Sequence, residues 1–145
     1  MYGLIFALNG QLYILKQSNY IMNRILVVDD NKDILQIVEI ILKNYGFEVM
    51  VTPNGEETFS KTDSFNPQLI LMDVFLSEGM DGRVICKSLK SNPQTKNIPV
   101  IMFSAQTKMD DAFHVCLADD FIAKPFEVVD LINKIKYHLA DTTVN

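Results

Sequence analysis

The chain has little of what several functional classes require. Its 145 residues include two cysteines and two histidines, and no 18 consecutive residues are apolar. We therefore expect no membrane-spanning helix, and the cysteines lack the spacing of a zinc site. Lysine and arginine number 13 against 18 acidic residues, for a net charge of -5 and a pI of about 4.9. An acidic chain without a basic patch is not expected to bind nucleic acid.

The two cysteines, Cys86 and Cys116, lie within segments of apolar periodicity. We expect them to be reduced core residues of a cytoplasmic protein rather than a disulfide. With 48% hydrophobic residues, the chain has enough apolar material for the core of about one domain.

Residues 1–21 stand apart from the rest, because Met22-Asn23-Arg24 resembles a natural protein start directly before an apolar strand. Asn9-Gly10 lies between two apolar runs, which is a strong hairpin signal. A signal peptide fits poorly, since the segment has no basic start. Three interpretations stay open: a mis-assigned start, a hairpin packed on the domain or on a partner chain, and a weak membrane-surface contact. The expected domain is 22–141, followed by a tail at 142–145.

From Met22 onward, short apolar runs alternate with segments of helical periodicity. Five strands alternating with helices predict right-handed crossovers and a doubly wound parallel α/β sheet. Strands are expected at 25–29, 47–51, 68–73, 100–103 and 121–123, and helices at 32–45, from 56, at 83–90, at about 108–117 and at 127–139.

Carboxylates follow two of these strands directly. Asp29 and Asp30 end the first strand, and Asp73 ends the third. Ligands of open parallel sheets bind beyond the carboxyl ends of the strands, and a hard divalent cation relieves the repulsion among clustered carboxylates. The pattern predicts a Mg²⁺ site, with one aspartate left as a nucleophile. Capping of the first helix is an alternative for one acid, but it does not explain all three.

Ser104 and Lys124 follow the fourth and fifth strands and are expected at the same edge of the sheet. A carboxylate can attack a phosphoryl group and become an acyl phosphate, a transfer that needs positioning and charge neutralisation. Lys124 would pair with one phosphoryl oxygen and Ser104 would donate to another. Pro125 would direct the loop that holds the amine, and a cis peptide bond is one way to do so.

Five stretches form a specific pattern across residues 23–140: Ile25-Leu26-Val27-Val28-Asp29-Asp30-Asn31, Leu69-Ile70-Leu71-Met72-Asp73, Met80-Asp81-Gly82, Ser104-Ala105, and Asp119-Asp120-Phe121-Ile122-Ala123-Lys124-Pro125-Phe126. In this order and at these spacings, they resemble the response-regulator receiver domain of two-component phosphorelays, in its stand-alone form. The resemblance implies a flavodoxin-like fold with strand order 2-1-3-4-5 and five helices.

The resemblance also implies roles at the acidic site. Asp73 stands at the position of the phosphoacceptor. Asp30 would bind Mg²⁺ directly, Asp29 would act mainly through water, and the backbone carbonyl of Phe75 would complete the metal site. The loop after Asp73 is one residue longer than the common form, and it has Ser77 where proline is frequent.

The remaining implied roles concern the switch. Ser104 matches the switch hydroxyl, Lys124 the phosphate-binding lysine, and Phe121 the switch aromatic. The segment from Ser104 to Lys124 is about two residues shorter than usual, and Leu117 stands where glycine commonly precedes Ala-Asp-Asp.

The function implied is that of a signalling module rather than an enzyme, since it would catalyse only its own aspartyl phosphorylation and dephosphorylation. A sensor histidine kinase or a histidine phosphotransfer protein would supply the phosphoryl group to Asp73. With no output domain attached, the module would regulate an unidentified downstream protein by contact, as a monomer or weak homodimer. The alternative is a pseudo-receiver that acts only as a docking or dimerisation module.

Overall fold

The structure is a computed structural model that describes residues 5–14, 22–105 and 116–141. The first two strands, β1 (Ile5–Leu8) and β2 (Gln11–Ile14), form an antiparallel pair. Asn9 and Gly10 connect them with positive φ angles of 50° and 76°, the conformation that favours Asn-Gly in two-residue hairpins. The strand pairing agrees with the hairpin signal of this dipeptide, while packing of the hairpin on the domain or on a partner chain stays a prediction.

A second sheet contains five parallel strands in the order β4-β3-β5-β6-β7. This is the predicted 2-1-3-4-5 order, and β4 lies at one edge of the sheet. The strands are β3 (Arg24–Val28), β4 (Glu48–Thr52), β5 (Leu69–Asp73), β6 (Val100–Ser104) and β7 (Asp120–Ala123).

Helices alternate with the strands of this sheet, as the periodicity predicts. They are α1 (Lys32–Asn44), α2 (Glu57–Phe65), α3 (Gly82–Ser91) and α4 (Val128–Asp141), with a short 3₁₀ turn at Ser77–Gly79. The helix predicted at about 108–117 falls mainly on 106–115, which lie outside the described residues. Within the described ranges, no helix is long and apolar enough to cross a bilayer.

The central strands are buried on both faces, because alternate side chains enter two separate hydrophobic clusters. Ile25 and Val27 belong to the first cluster, with residues of α1 and α4. Leu26 and Val28 belong to the second, with residues of α3. Cys86 and Cys116 are both buried in the second cluster and are not joined by a disulfide, so their predicted place in the core is confirmed.

The first helix begins and ends at residues whose chemistry explains both limits. The Asn31 side chain accepts hydrogen bonds from the backbone N–H groups of Asp33 and Ile34. The alternative in which an aspartate caps α1 is therefore wrong, and both acids of the Asp29-Asp30 pair are left for other roles. After α1, Gly46 has a φ of +85°, as expected for a helix-terminating glycine.

Leu117, three residues before the start of β7, has a φ of +60°. This left-handed conformation costs a residue with a Cβ about 1–2 kcal/mol. The side chain is 53% exposed, so it recovers little of that cost by burial. The positive φ therefore explains why a glycine would suit this position.

We expect Leu117→Gly to raise the free energy of unfolding by about 0.5–1 kcal/mol, since relief of the strain exceeds the extra entropy of an unfolded glycine. Urea denaturation measures the change. Leu117→Ala is the control, because it shortens the side chain and keeps the Cβ. Equal stabilisation by alanine and glycine would show that the backbone conformation is not the cause.

Candidate functional site

Three carboxylates meet at the carboxyl edge of the five-stranded sheet. Asp29 and Asp30 follow β3, and Asp73 is the last residue of the adjacent parallel strand β5. One carboxylate oxygen from each lies within 4.8 Å of the others. Asp29 and Asp73 are buried and Asp30 is exposed, so the cluster opens to solvent on the Asp30 side. The convergence expected from the strand pattern is confirmed.

Lys124 enters the same cluster from the end of β7. Its Nζ lies 2.5 Å from Oδ2 of Asp29 and 3.4 Å from Oδ2 of Asp73. The backbone N–H of Lys124 donates to the carbonyl of Ser104, at 2.8 Å, and the Lys124–Pro125 peptide bond is cis. The amine therefore joins two acids that lie 95 and 51 positions away in the chain.

The Lys124 amine also contacts an aromatic ring, a contact that sequence reasoning missed. Lys124 Nζ lies 4.4 Å from the centroid of the Phe103 ring, within the range of a cation–π interaction. The Phe103 ring is buried and packs edge-on against Phe126. The sequence does show an aromatic residue directly before Ser104. It does not show which face of the sheet the Phe103 ring occupies, so the contact with Lys124 could not be predicted.

Asp73 is held by its own backbone as well as by the amine. Its Oδ1 accepts a hydrogen bond of 2.8 Å from the Val74 N–H. Burial, and then the neighbouring charge of Asp29, raise the pKa of Asp73 to about 6, while Lys124 opposes the shift. At pH 7 the carboxylate is thus mostly ionised and poorly solvated, which suits a nucleophile.

The other expected site residues lie around this centre. Ser104 is buried at the end of β6, the strand that pairs with β5, and Phe121 is partly buried on β7 against the second hydrophobic cluster. Phe75 pairs with Asp81 in an isolated antiparallel bridge, and its side chain is half exposed. The metal-binding role of the Phe75 carbonyl stays a prediction.

Gly82, the first residue of α3, is required by the close approach of that helix to β5. A Cβ built at this position would lie 1.9 Å from the carbonyl oxygen of Asp73, which no side chain tolerates. The Gly82 N–H donates to the carbonyl of Val74 at 2.7 Å. The Asp81-Gly82 pair is visible in the sequence, but this structural reason becomes clear only from the fold.

The chemistry of the donor set fits Mg²⁺. Three carboxylates and one amine leave a formal charge of minus two when all are ionised. Hard oxygen ligands at a solvent-open position are what Mg²⁺ prefers, since it retains several waters. Asp30 and Asp73 each contribute a carboxylate oxygen to the cluster, so these residues could hold the ion.

Comparison with known proteins agrees with this arrangement. The model of the response regulator receiver domain family matches residues 25–136. The DNA-binding response regulator MtrA of Mycobacterium tuberculosis H37Rv is 32% identical over 121 residues, covering 80% of this chain and 50% of MtrA. The chain thus spans about half the length of this relative. Protein PilG of Pseudomonas aeruginosa PAO1 is 30% identical over 122 residues, covering 83% of this chain and 90% of PilG.

Solved structures show the same fold. A CheY-like response regulator receiver domain protein of Methanospirillum hungatei JF-1 has a TM-score of 0.77 and 27% identity, covering 84% of this chain and 97% of that protein. The signal receiver domain of a signal transduction histidine kinase from Syntrophus aciditrophicus has a TM-score of 0.77 and 31% identity, covering 85% and 94%. The chain belongs to the response regulator receiver domain family, whose members are signalling modules of two-component systems.

The raised pKa of Asp73 predicts a pH-dependent effect of its removal. An acid whose pKa is higher in the folded state costs stability when ionised, and the cost fades as the pH falls from about 6 toward 4. Without divalent ions, Asp73→Asn should therefore raise the free energy of unfolding at pH 7.5 by about 1–2 kcal/mol, a value reduced for solvent screening. At pH 4.5 the gain should be much smaller.

Urea denaturation at the two pH values measures this difference. Asp63→Asn, which removes an exposed acid of α2, serves as the matched control and should show no comparable pH-dependent gain. A gain for Asp73→Asn that is constant, or larger at pH 4.5, would contradict the raised pKa.

Proposed function

We propose that this domain accepts a phosphoryl group on Asp73 from a phosphohistidine of a sensor histidine kinase or a histidine phosphotransfer protein. The observation that carries the proposal is the convergence of Asp29, Asp30, Asp73 and Lys124 at one edge of the sheet. Family membership supports the same role.

In the proposed reaction, an oxygen of the Asp73 carboxylate attacks phosphorus, an acyl phosphate bond forms, and the phosphorus–nitrogen bond of the donor breaks. The imidazole leaves with the electron pair of that bond and takes up a proton. Bound Mg²⁺ would neutralise phosphoryl oxygens, with Asp30 and Asp73 as direct ligands, Asp29 acting mainly through water, and the Phe75 carbonyl as a further ligand.

Lys124 is proposed to change partners in the reaction. Its amine now bonds to Asp29 and lies 3.4 Å from Asp73, so a short movement of a flexible side chain brings it to an oxygen of the new phosphoryl group. Ser104, at the end of the neighbouring strand, would donate to another oxygen. These two contacts exist only in the phosphorylated state, so they shift the population between two conformations.

Phe121 is the proposed reporter of that shift. It lies three positions before Lys124 on edge strand β7 and packs partly against the second hydrophobic cluster. Movement of Ser104 toward the phosphoryl group would make room for the ring to turn further inward. Because phenylalanine has no hydroxyl, the inward state loses no hydrogen bond, whereas the outward state exposes an apolar ring. The altered surface would regulate a partner protein.

We expect Asp73→Asn to abolish phosphate uptake from a small phosphodonor with Mg²⁺, because the nucleophilic oxygen is lost. Intact-protein mass spectrometry measures the added phosphoryl group, and Asp63→Asn is the matched control that should retain uptake. Full uptake by Asp73→Asn would defeat the assignment of the phosphoacceptor. Wild-type protein that binds Mg²⁺ but takes up no phosphate would favour the alternative, a docking module with idle acids.

Lys124→Ala should keep part of the phosphate uptake and lose the conformational response to phosphorylation. The reason is that the amine binds the transferred phosphoryl group and is not the nucleophile. NMR spectra with and without a beryllofluoride phosphate mimic measure the response at Phe121. Lys87→Ala, on the exposed face of α3, is the control. A response of Phe121 in Lys124→Ala equal to that of the wild type would contradict the role of the lysine.

A further inference from the structure

The loop between β5 and α3 is closed by its own backbone. Phe75 and Asp81 form an antiparallel bridge, and the Leu76 N–H donates to the carbonyl of Met80 at 3.0 Å. One residue further along each side of the loop, the Gly82 N–H donates to the Val74 carbonyl. The residues between Leu76 and Met80 are thus the tip of a small hairpin rather than an open connection.

The direction of this tip is set by packing and by backbone conformation. The Leu76 side chain is buried in the second hydrophobic cluster, and Met80 packs against the same cluster. Glu78 and Gly79 both have positive φ angles, of 62° and 74°, which makes the tight reversal at the tip. The anchored hairpin therefore presents its first tip residue, Ser77, in a defined place.

That place is beside the acidic cluster. The Ser77 hydroxyl donates to Oδ2 of Asp30 at 3.2 Å, across 47 positions of the chain. The other two acids are held differently: Asp29 by Lys124 and by the Asn31 N–H, and Asp73 by Lys124 and the Val74 N–H. Ser77 supplies the corresponding restraint to Asp30, the exposed member of the trio.

We propose that Ser77 is a positioning residue that orients the Asp30 carboxylate and thereby sets the affinity of the site for Mg²⁺. The inference rests on the proposed function, in which Asp30 binds the ion directly. A carboxylate that accepts a hydrogen bond through one oxygen presents the other in a fixed direction, so less side-chain freedom is lost when the ion binds. The long loop after Asp73 is the device that brings the hydroxyl there.

The test is the dissociation constant for Mg²⁺ of the unphosphorylated full chain, measured by calorimetric or NMR titration. Loss of a hydrogen bond to a metal ligand weakens metal affinity by about 10- to 100-fold, and the exposed position of this bond places Ser77→Ala near the lower limit, at about tenfold. Ser77→Thr keeps the hydroxyl and should restore wild-type affinity. Ser88→Ala, which removes an exposed hydroxyl of α3 bonded to the Val84 carbonyl, should leave affinity unchanged.

Thermal unfolding with a chelator completes the experiment. If Ser77→Ala has the melting temperature of the wild type but binds Mg²⁺ more weakly, Ser77 acts by positioning Asp30 rather than by stabilising the fold. Equal or tighter Mg²⁺ binding by Ser77→Ala would overturn this inference alone. A wild-type protein that binds no Mg²⁺ and takes up no phosphate would instead overturn the proposed function, and this inference with it.

Discussion

Lys124 compensates one of the three negative charges that the parallel sheet gathers at its carboxyl edge. The buried Asp29 carboxylate depends on this ion pair, because an unpaired charge in the interior costs several kcal/mol. Asp73 shares the amine at a longer distance and keeps a raised pKa. The site thus combines a stable pair with a carboxylate whose negative charge is incompletely compensated, and binding of a cation or a phosphoryl group would change that balance.

Much of the fold follows from local patterns. Apolar runs such as Leu69–Asp73 must be buried on both faces, and the alternation with helices leaves a doubly wound sheet as the natural arrangement. Because the strands are parallel, the ends of β3, β5 and β7 lie at one edge of the sheet, so the position of Asp29, Asp73 and Lys124 at that edge is predictable from the sequence. Resemblance to receiver domains added the strand order and assigned expected roles to individual residues.

Other features depend on three-dimensional packing and could not be predicted. The Phe103 ring beneath the Lys124 amine, the 1.9 Å approach that excludes a Cβ at Gly82, and the bond from Ser77 to Asp30 each join residues through geometry rather than pattern. Leu117 was predictable in part. The resemblance shows that leucine stands where glycine is common, but only the positive φ angle shows that this replacement strains the backbone.

The proposed phosphorylation of Asp73 would be sensed through an exchange of partners at Lys124. A crystal structure of the chain with Mg²⁺ and beryllofluoride is the decisive measurement. We expect beryllofluoride on Asp73, the ion against Asp30 and Asp73, and Lys124 Nζ in contact with a fluorine instead of Asp29. An ion bound elsewhere, or an amine still paired with Asp29 beside an occupied Asp73, would contradict it.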